Sequence, residues 1–279
     1  MPPSVALSES NDSKYLYADY QSSANGSISI INVSSVIPTT VKNLVDAGNF
    51  SQMANAVWKT AYVTGYSGNV LDTINTTGAT LSSFYGIGIN PKNVIFSNNN
   101  KYAYVVSGSG GFNTLAIVNM TKLVNNLSVP FSAIIKGIPI GGIGNPVETL
   151  TPDGRYLIIS AGKYVLIMDT ATDSIVKNIS ASGLFLNYQM YATNKFAYLA
   201  PSSGSVIPVV NLTSLSIYKN ITDNGGPYYL AMSPDNNLLY AVNSASNNTL
   251  LIINTTTNEV VGNVYGYFSP NQVSNLVHI

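Results

Sequence analysis

The chain has 279 residues, 46% of them apolar, which is enough for a full hydrophobic core and, by length, for one or two domains. Only 9% are charged, and twelve basic residues balance twelve acidic ones, so there is no basic patch to hold a phosphate backbone and nucleic acid is excluded as a partner. Cys is absent, no apolar run reaches the length of a transmembrane helix, and Met1-Pro2-Pro3 does not open a signal peptide.

The predicted elements recur in chain order. A first unit, 1–45, has a strand at 2–8, a second starting Lys14-Tyr-Leu-Tyr-Ala, a third at 28–32 ending in Asn32, and a fourth starting Val41-Lys-Asn-Leu. The second unit, 46–86, repeats Lys59-Thr-Ala-Tyr-Val and a run at 70–75. The third, 87–139, adds a proline-opened strand at 91–97, then Lys101-Tyr-Ala-Tyr-Val and 115–119. The fourth, 140–180, turns at Asp153-Gly154 into Arg155-Tyr-Leu-Ile-Ile, followed by 165–169 and Val176-Lys-Asn-Ile. The fifth, 181–222, reads Lys195-Phe-Ala-Tyr-Leu, 206–211 and Tyr218-Lys-Asn-Ile. The sixth, 223–268, reads 227–233, the turn Pro234-Asp-Asn, Asn237-Leu-Leu-Tyr-Ala and 250–254. A tail at 269–279 resembles an opening strand and is expected to close the ring.

The second strands start 45, 42, 54, 40 and 42 positions apart, close to the roughly 40–45 residues of one propeller blade. The runs are short, rich in Val, Ile and Tyr, and bounded by Gly, Asn, Pro and Ser, and no segment shows helical periodicity. Four antiparallel strands repeated radially predict a single all-β domain, a β-propeller of about six four-stranded blades, with a seven-bladed or truncated seven-bladed ring as the alternative. Most of the repeated Tyr are expected to pack between blades with their hydroxyls at a rim.

Tyr62-Val-Thr-Gly, Tyr240-Ala-Val-Asn, the Ser233-Pro-Asp-Asn turn and Asp169-Thr-Ala-Thr resemble the YVTN-type β-propeller repeat of archaeal surface-layer and cell-surface proteins. The resemblance runs along nearly the whole chain and is sharpest at 146–179 and 227–264; before Lys59 and Lys195 the Pro-Asp-Gly turn is missing. It implies an extracellular, archaeal surface protein, and the scarcity of charge suits an acidophile. An adhesive or structural role follows, with other surface proteins or glycans as partners and an oligomer or lattice as its assembly.

No catalytic constellation is legible. The single His278 stands second from the end, where frayed backbone cannot hold a general base. Most acids adjoin Gly, Asn, Pro or Thr and read as turn formers; Asp46, Asp72 and Glu148 are less easily dismissed, but no pair has acid–base or calcium-loop spacing. The glycine-rich stretches at 108–112 and 137–144 lack the Lys-Ser/Thr ending of a phosphate loop. The recurrent Lys at the second strand reads as a solvated strand end, with a ring of cations on one face as the alternative. Trp58, Tyr228 and Tyr229 are candidates for stacking on sugars. The expectation is therefore a non-catalytic protein with no cofactor and no metal; the alternative is a lactonase-like propeller enzyme acting on a small carbohydrate at the central channel.

Asn-X-Ser/Thr occurs at Asn11, Asn25, Asn32, Asn49, Asn75, Asn119, Asn126, Asn178, Asn211, Asn220, Asn247 and Asn254. With 34 Asn in the chain, chance gives roughly six or seven such sites. Five of them, Asn32, Asn75, Asn119, Asn211 and Asn254, are also the repeat's own turn residues, whereas Asn49, Asn178 and Asn220 lie elsewhere. Glycosylation of these positions is expected in an exported chain.

Overall fold

The computed structural model describes residues 5–9, 13–21, 26–35, 37–46, 50–57, 60–65, 69–75, 80–108, 111–125, 130–181, 189–201, 204–222, 225–243 and 249–265. His278 and the expected closing strand lie outside them. The chain forms two compact units, 1–141 and 142–279. Among the described residues each unit contains three four-stranded sheets, every one an antiparallel meander in sequence order.

In the first unit the sheets are β1 (Val5–Glu9) to β4 (Thr39–Asp46) through β2 (Tyr15–Gln21) and β3 (Gly26–Asn32); β5 (Phe50–Val57), β6 (Thr60–Gly65), β7 (Val70–Asn75) and β8 (Thr80–Tyr85); and β9 (Pro91–Phe96), β10 (Tyr102–Ser107), β11 (Thr114–Asn119) and β12 (Ile134–Pro139). In the second they are β13 (Val147–Leu150), β14 (Tyr156–Ala161), β15 (Tyr164–Asp169) and β16 (Ser174–Ser180); β17 (Met190–Ala192), β18 (Phe196–Leu199), β19 (Val206–Asn211) and β20 (Ser216–Thr222); and β21 (Pro227–Met232), β22 (Leu238–Asn243), β23 (Thr249–Asn254) and β24 (Glu259–Tyr265).

The middle strands are apolar on both faces because neighbouring sheets pack face to face. In the first unit Tyr62 and Leu71 meet Val94, Ala103, Val105 and Ala116, and the Tyr62 and Phe96 rings lie 5.1 Å apart at 59°. In the second, Ile158, Val165 and Ile167 pack on Ala197, Leu199 and Val210, and on the next sheet Tyr198, Ile207 and Val209 pack on Leu230, Leu239 and Ala241. Each Val, Leu or Ile among them contributes about 1.5–3 kcal/mol when fully removed from water. Side chains of different size from the facing sheets thus interlock at close packing.

Five of the six sheets carry a bulge at one repeat-equivalent place, where the third strand meets the fourth. The fourth strand there holds one residue more than its partner: Val41, Ile135, Val176, Tyr218 or Val261. All five are between 44% and 59% exposed. The β7–β8 pair runs without the shift.

A short helix, α1 (Met120–Asn125), and a 3-10 turn, Pro130–Ala133, stand between β11 and β12, where no helix is expected from the sequence. Asn119 caps α1, its Oδ1 accepting the Lys122 N–H at 3.1 Å. Six residues are too few to display a helical period, and they belong to the unit whose spacing is the longest, 54 positions.

Candidate functional site

Among the described residues, the connection from first to second strand is one chemical device used four times. Thr151 donates its hydroxyl to Asp153 at 2.6 Å and accepts the Tyr156 N–H at 3.0 Å, while Asp153 accepts the Arg155 N–H at 3.0 Å. Ser233 and Asp235 repeat this with Leu238 and Asn237, and Ser97 with Asn99 repeats it before Tyr102. Thr193 makes the short form, its hydroxyl accepting the Lys195 and Phe196 N–H groups without an acid. The residue ahead of the strand is left-handed at Asn100, Gly154 and Asn236, with φ of 56°, 72° and 58°, which Gly and Asn tolerate best. Burial pushes the Asp153 carboxyl up, yet the Thr151 hydroxyl, the Arg155 N–H and the Arg155 charge hold it below its ordinary value. The Ser233 hydroxyl, with the Asn237 N–H and amide, does the same for Asp235.

In the second unit these turns enclose a cleft of about 300 Å³, lined by Pro152, Thr193, Asn194, Lys195, Phe196, Asp235, Asn236, Asn237, Thr255 and Thr256. Its walls are tied together: Asn194 Oδ1 accepts the Asp153 N–H at 2.9 Å, and the Thr255 hydroxyl donates to the Asn236 carbonyl at 2.6 Å. Beneath it the buried Tyr198 hydroxyl donates to Asn258 Oδ1 at 2.6 Å and reaches the Thr255 carbonyl at 3.1 Å. That tyrosine therefore directs its hydroxyl into the next sheet's turn, where a hydroxyl at a rim is expected from the repeat.

Among the described residues two carboxylates are buried within sheets. Asp72 on β7 is 0% exposed and Glu148 on β13 is 5% exposed. Glu148 pairs with Ile159, one residue after the recurrent aromatic position of the second strand. The other sheets place Leu7, Met53, Val94, Met190 and Leu230 opposite the corresponding residue. An acid thus occupies a position that is otherwise apolar in every repeat. Acidic side chains are almost never fully buried without a specific reason. Asp46 ends β4.

The predicted glycosylation sites divide by environment. Asn178 and Asn220 are exposed on the fourth strands β16 and β20. Asn32, Asn211 and Asn254 close the third strands, each accepting through Oδ1 the N–H two residues on, at 2.9, 2.8 and 2.9 Å. Asn119 is the helix cap already described, and Asn75 ends β7. Asn11, Asn25, Asn49, Asn126, Asn247 and Trp58 lie outside the described residues. Tyr228 and Tyr229 fall on β21, and Tyr229 is half-buried. Lys14, Lys101, Arg155 and Lys195 are exposed at their strand starts. Among the described residues no three His, Asp or Glu gather to hold a metal, and no helix is long and apolar enough to cross a membrane.

No protein-family model matches the sequence, and no curated protein matches it. Solved structures do. Hydrazine synthase of Kuenenia stuttgartiensis matches with a TM-score of 0.73 at 13% identity, over 93% of this chain and 85% of that one. The dihydro-heme d1 dehydrogenase NirN, solved in complex with DHE, matches with a TM-score of 0.69 at 12% identity, over 93% of this chain and 56% of that one. The fold is a β-propeller. The chain spans little more than half of the dehydrogenase's length. Identity this low carries the fold alone, and the resemblance to surface-layer repeats rests on the quoted residues only. The expectation of a non-catalytic protein is corrected here: the two solved structures named above are those of enzymes. That expectation leaned on the absence of paired acids and histidines at catalytic spacing. A lone buried acid such as Glu148 has no spacing to reveal it.

Proposed function

We propose that this propeller is an enzyme acting on a small, uncharged carbohydrate, with Glu148 as its acid–base group, and that it works outside the cell. The observation that carries the reading is the buried acid at a register position filled by Leu, Met or Val in the five other sheets. Burial makes the charged form of a carboxyl costly, and desolvated carboxyls of this kind are candidates for general acid–base work. The scarcity of charge suits a neutral, hydroxylated substrate, and the enzymes that share the fold support catalysis on such a frame. The exposed Asn178 and Asn220 support an exported chain, since each opens an Asn-X-Ser/Thr acceptor on a strand that faces solvent.

The test is turnover of a panel of sugar lactones and small neutral glycosides by the wild type and by Glu148→Gln. Loss of a general acid–base group lowers the rate by about 10²–10⁴-fold, with circular dichroism unchanged. Equal rates in the two proteins would remove Glu148 from the chemistry.

A further inference from the structure

We infer that the cleft among the turns of the second unit is a separate binding site for a neutral sugar. Three successive sheets supply it: Pro152 from the turn after β13, Thr193 to Lys195 from the turn after β17 with Phe196 opening β18, and Asp235 to Asn237 from the turn after β21, with Thr255 and Thr256 closing one side. Six of its ten lining residues are Asn or Thr, and its formal charges are one Lys and one Asp.

The two charges are already committed. Asp235 Oδ1 accepts from the Ser233 hydroxyl at 2.6 Å and the Asn237 N–H at 3.1 Å, and Oδ2 accepts the Asn237 amide at 2.7 Å. Lys195 Nζ sits 5.3 Å above the centre of the Phe196 ring, a cation–π placement. A ligand ammonium or carboxylate would have to displace these contacts, whereas vicinal hydroxyls can both donate to and accept from amide and hydroxyl side chains. The groups left to meet a ligand among the described residues include the Asn236 side chain, the Thr256 hydroxyl, the Asn194 amide nitrogen and Asn237 Oδ1. They stand on backbone locked by the Asn194–Asp153 and Thr255–Asn236 bonds, so little ordering entropy is lost on binding. The buried Phe196, 4% exposed, gives the cleft an apolar floor.

Methyl glucoside, methyl mannoside and methyl galactoside, with glucuronate and glucosamine as charged controls, are titrated against the full chain and followed by saturation-transfer NMR and calorimetry. Binding of at least one neutral glycoside in the millimolar range is expected, with the charged sugars weaker. Asn236→Gly, which keeps a residue suited to the φ of 58°, and Thr256→Val should each weaken it by about tenfold, the loss of one hydrogen bond to a ligand. Glu148→Gln should leave this binding unchanged, which separates the site from the proposed catalysis. No binding by any neutral glycoside, equal or tighter binding of a charged sugar, or indifference to both cleft variants would each overturn the inference.

Discussion

Asp153 and Asp235 hold the same post in two repeats, and their carboxylates owe their low pKa mainly to short bonds from a hydroxyl and from backbone N–H groups. A carboxylate whose folded pKa is depressed stabilises the fold above its unfolded value, and that contribution is lost as pH falls through the folded value. Both groups shift downward from 3.8, so the loss begins only below that pH. Circular dichroism should show the native signal intact at pH 4, with any cooperative loss confined to more acid solution. Asp153→Ala removes the acceptor for both Thr151 and Arg155 and is expected to cost about 1–2 kcal/mol in thermal or urea unfolding, whereas Asp153→Asn, which keeps the acceptor oxygen, should cost less. At this scale the sequence was informative: Pro-Asp-Gly and Pro-Asp-Asn declare their turns, and the polar residue closing each third strand declares the next. Thr193 shows the limit, since its hydroxyl alone makes the turn that an acid helps to make elsewhere.

Strands are legible as elements because their apolar runs are short and punctuated, and the recurrent Tyr marks the second strand of five sheets. What the run does not disclose is where a hydroxyl goes. Tyr198 is fully buried, burial raises its pKa well above the ordinary tyrosine value, and its hydroxyl ties β18 to the turn after β23. Tyr198→Phe leaves Asn258 Oδ1 and one buried carbonyl without that donor and should lower stability by about 1–3 kcal/mol, read as a fall in urea midpoint with unchanged slope. Gly88 offers a sharper case. Its φ is +114°, and a Cβ built there would stand 2.6 Å from both Cβ and Oγ of Ser107. Gly88→Ala combines a left-handed backbone with a clash against a buried residue, so it should reduce the soluble folded yield more than Gly111→Ala, where no atom lies within 4 Å of the added Cβ.

For the whole molecule, low charge sets the response to salt. Lys219 and Glu259 pair at 2.6 Å with side chains 29% and 67% exposed, and surface pairs of this kind are worth about 0–1 kcal/mol. Thermal unfolding should therefore change little with added sodium chloride beyond the general salting-out effect. Peptide mass mapping of material from the native host should find glycans at Asn178 or Asn220, and bare peptides at both would count against export. Repeat spacing and strand patterning made the propeller readable from the sequence, because every repeat restates them. The candidate site was only half readable. Glu148 was one of three acids, with Asp46 and Asp72, less easily dismissed as turn formers, but its significance depends on pairing Glu148 with Ile159 and seeing which residues take that place in the other sheets. The cleft draws on turns some forty residues apart (Asn194 and Asn236), and each reads alone as ordinary loop.

The recurrent bulge also bears on how this chain avoids misassembly. A fourth strand paired on one side only offers free N–H and C=O groups to any extended chain that meets it, and the extra residue of a bulge spoils the regular spacing such a chain would need. Val41, Ile135, Val176, Tyr218 and Val261 place that irregularity on the fourth strand of five sheets, most often with a lysine following. β8 keeps an even register along its whole length, so it is the edge best suited to template a foreign strand. Refolding at high concentration should then be limited by aggregation through β8. Ser83→Lys, at an exposed position, should suppress light scattering during refolding, while Ser174→Lys, also exposed and on β16, should not. Equal scattering from both variants would place the vulnerable edge elsewhere.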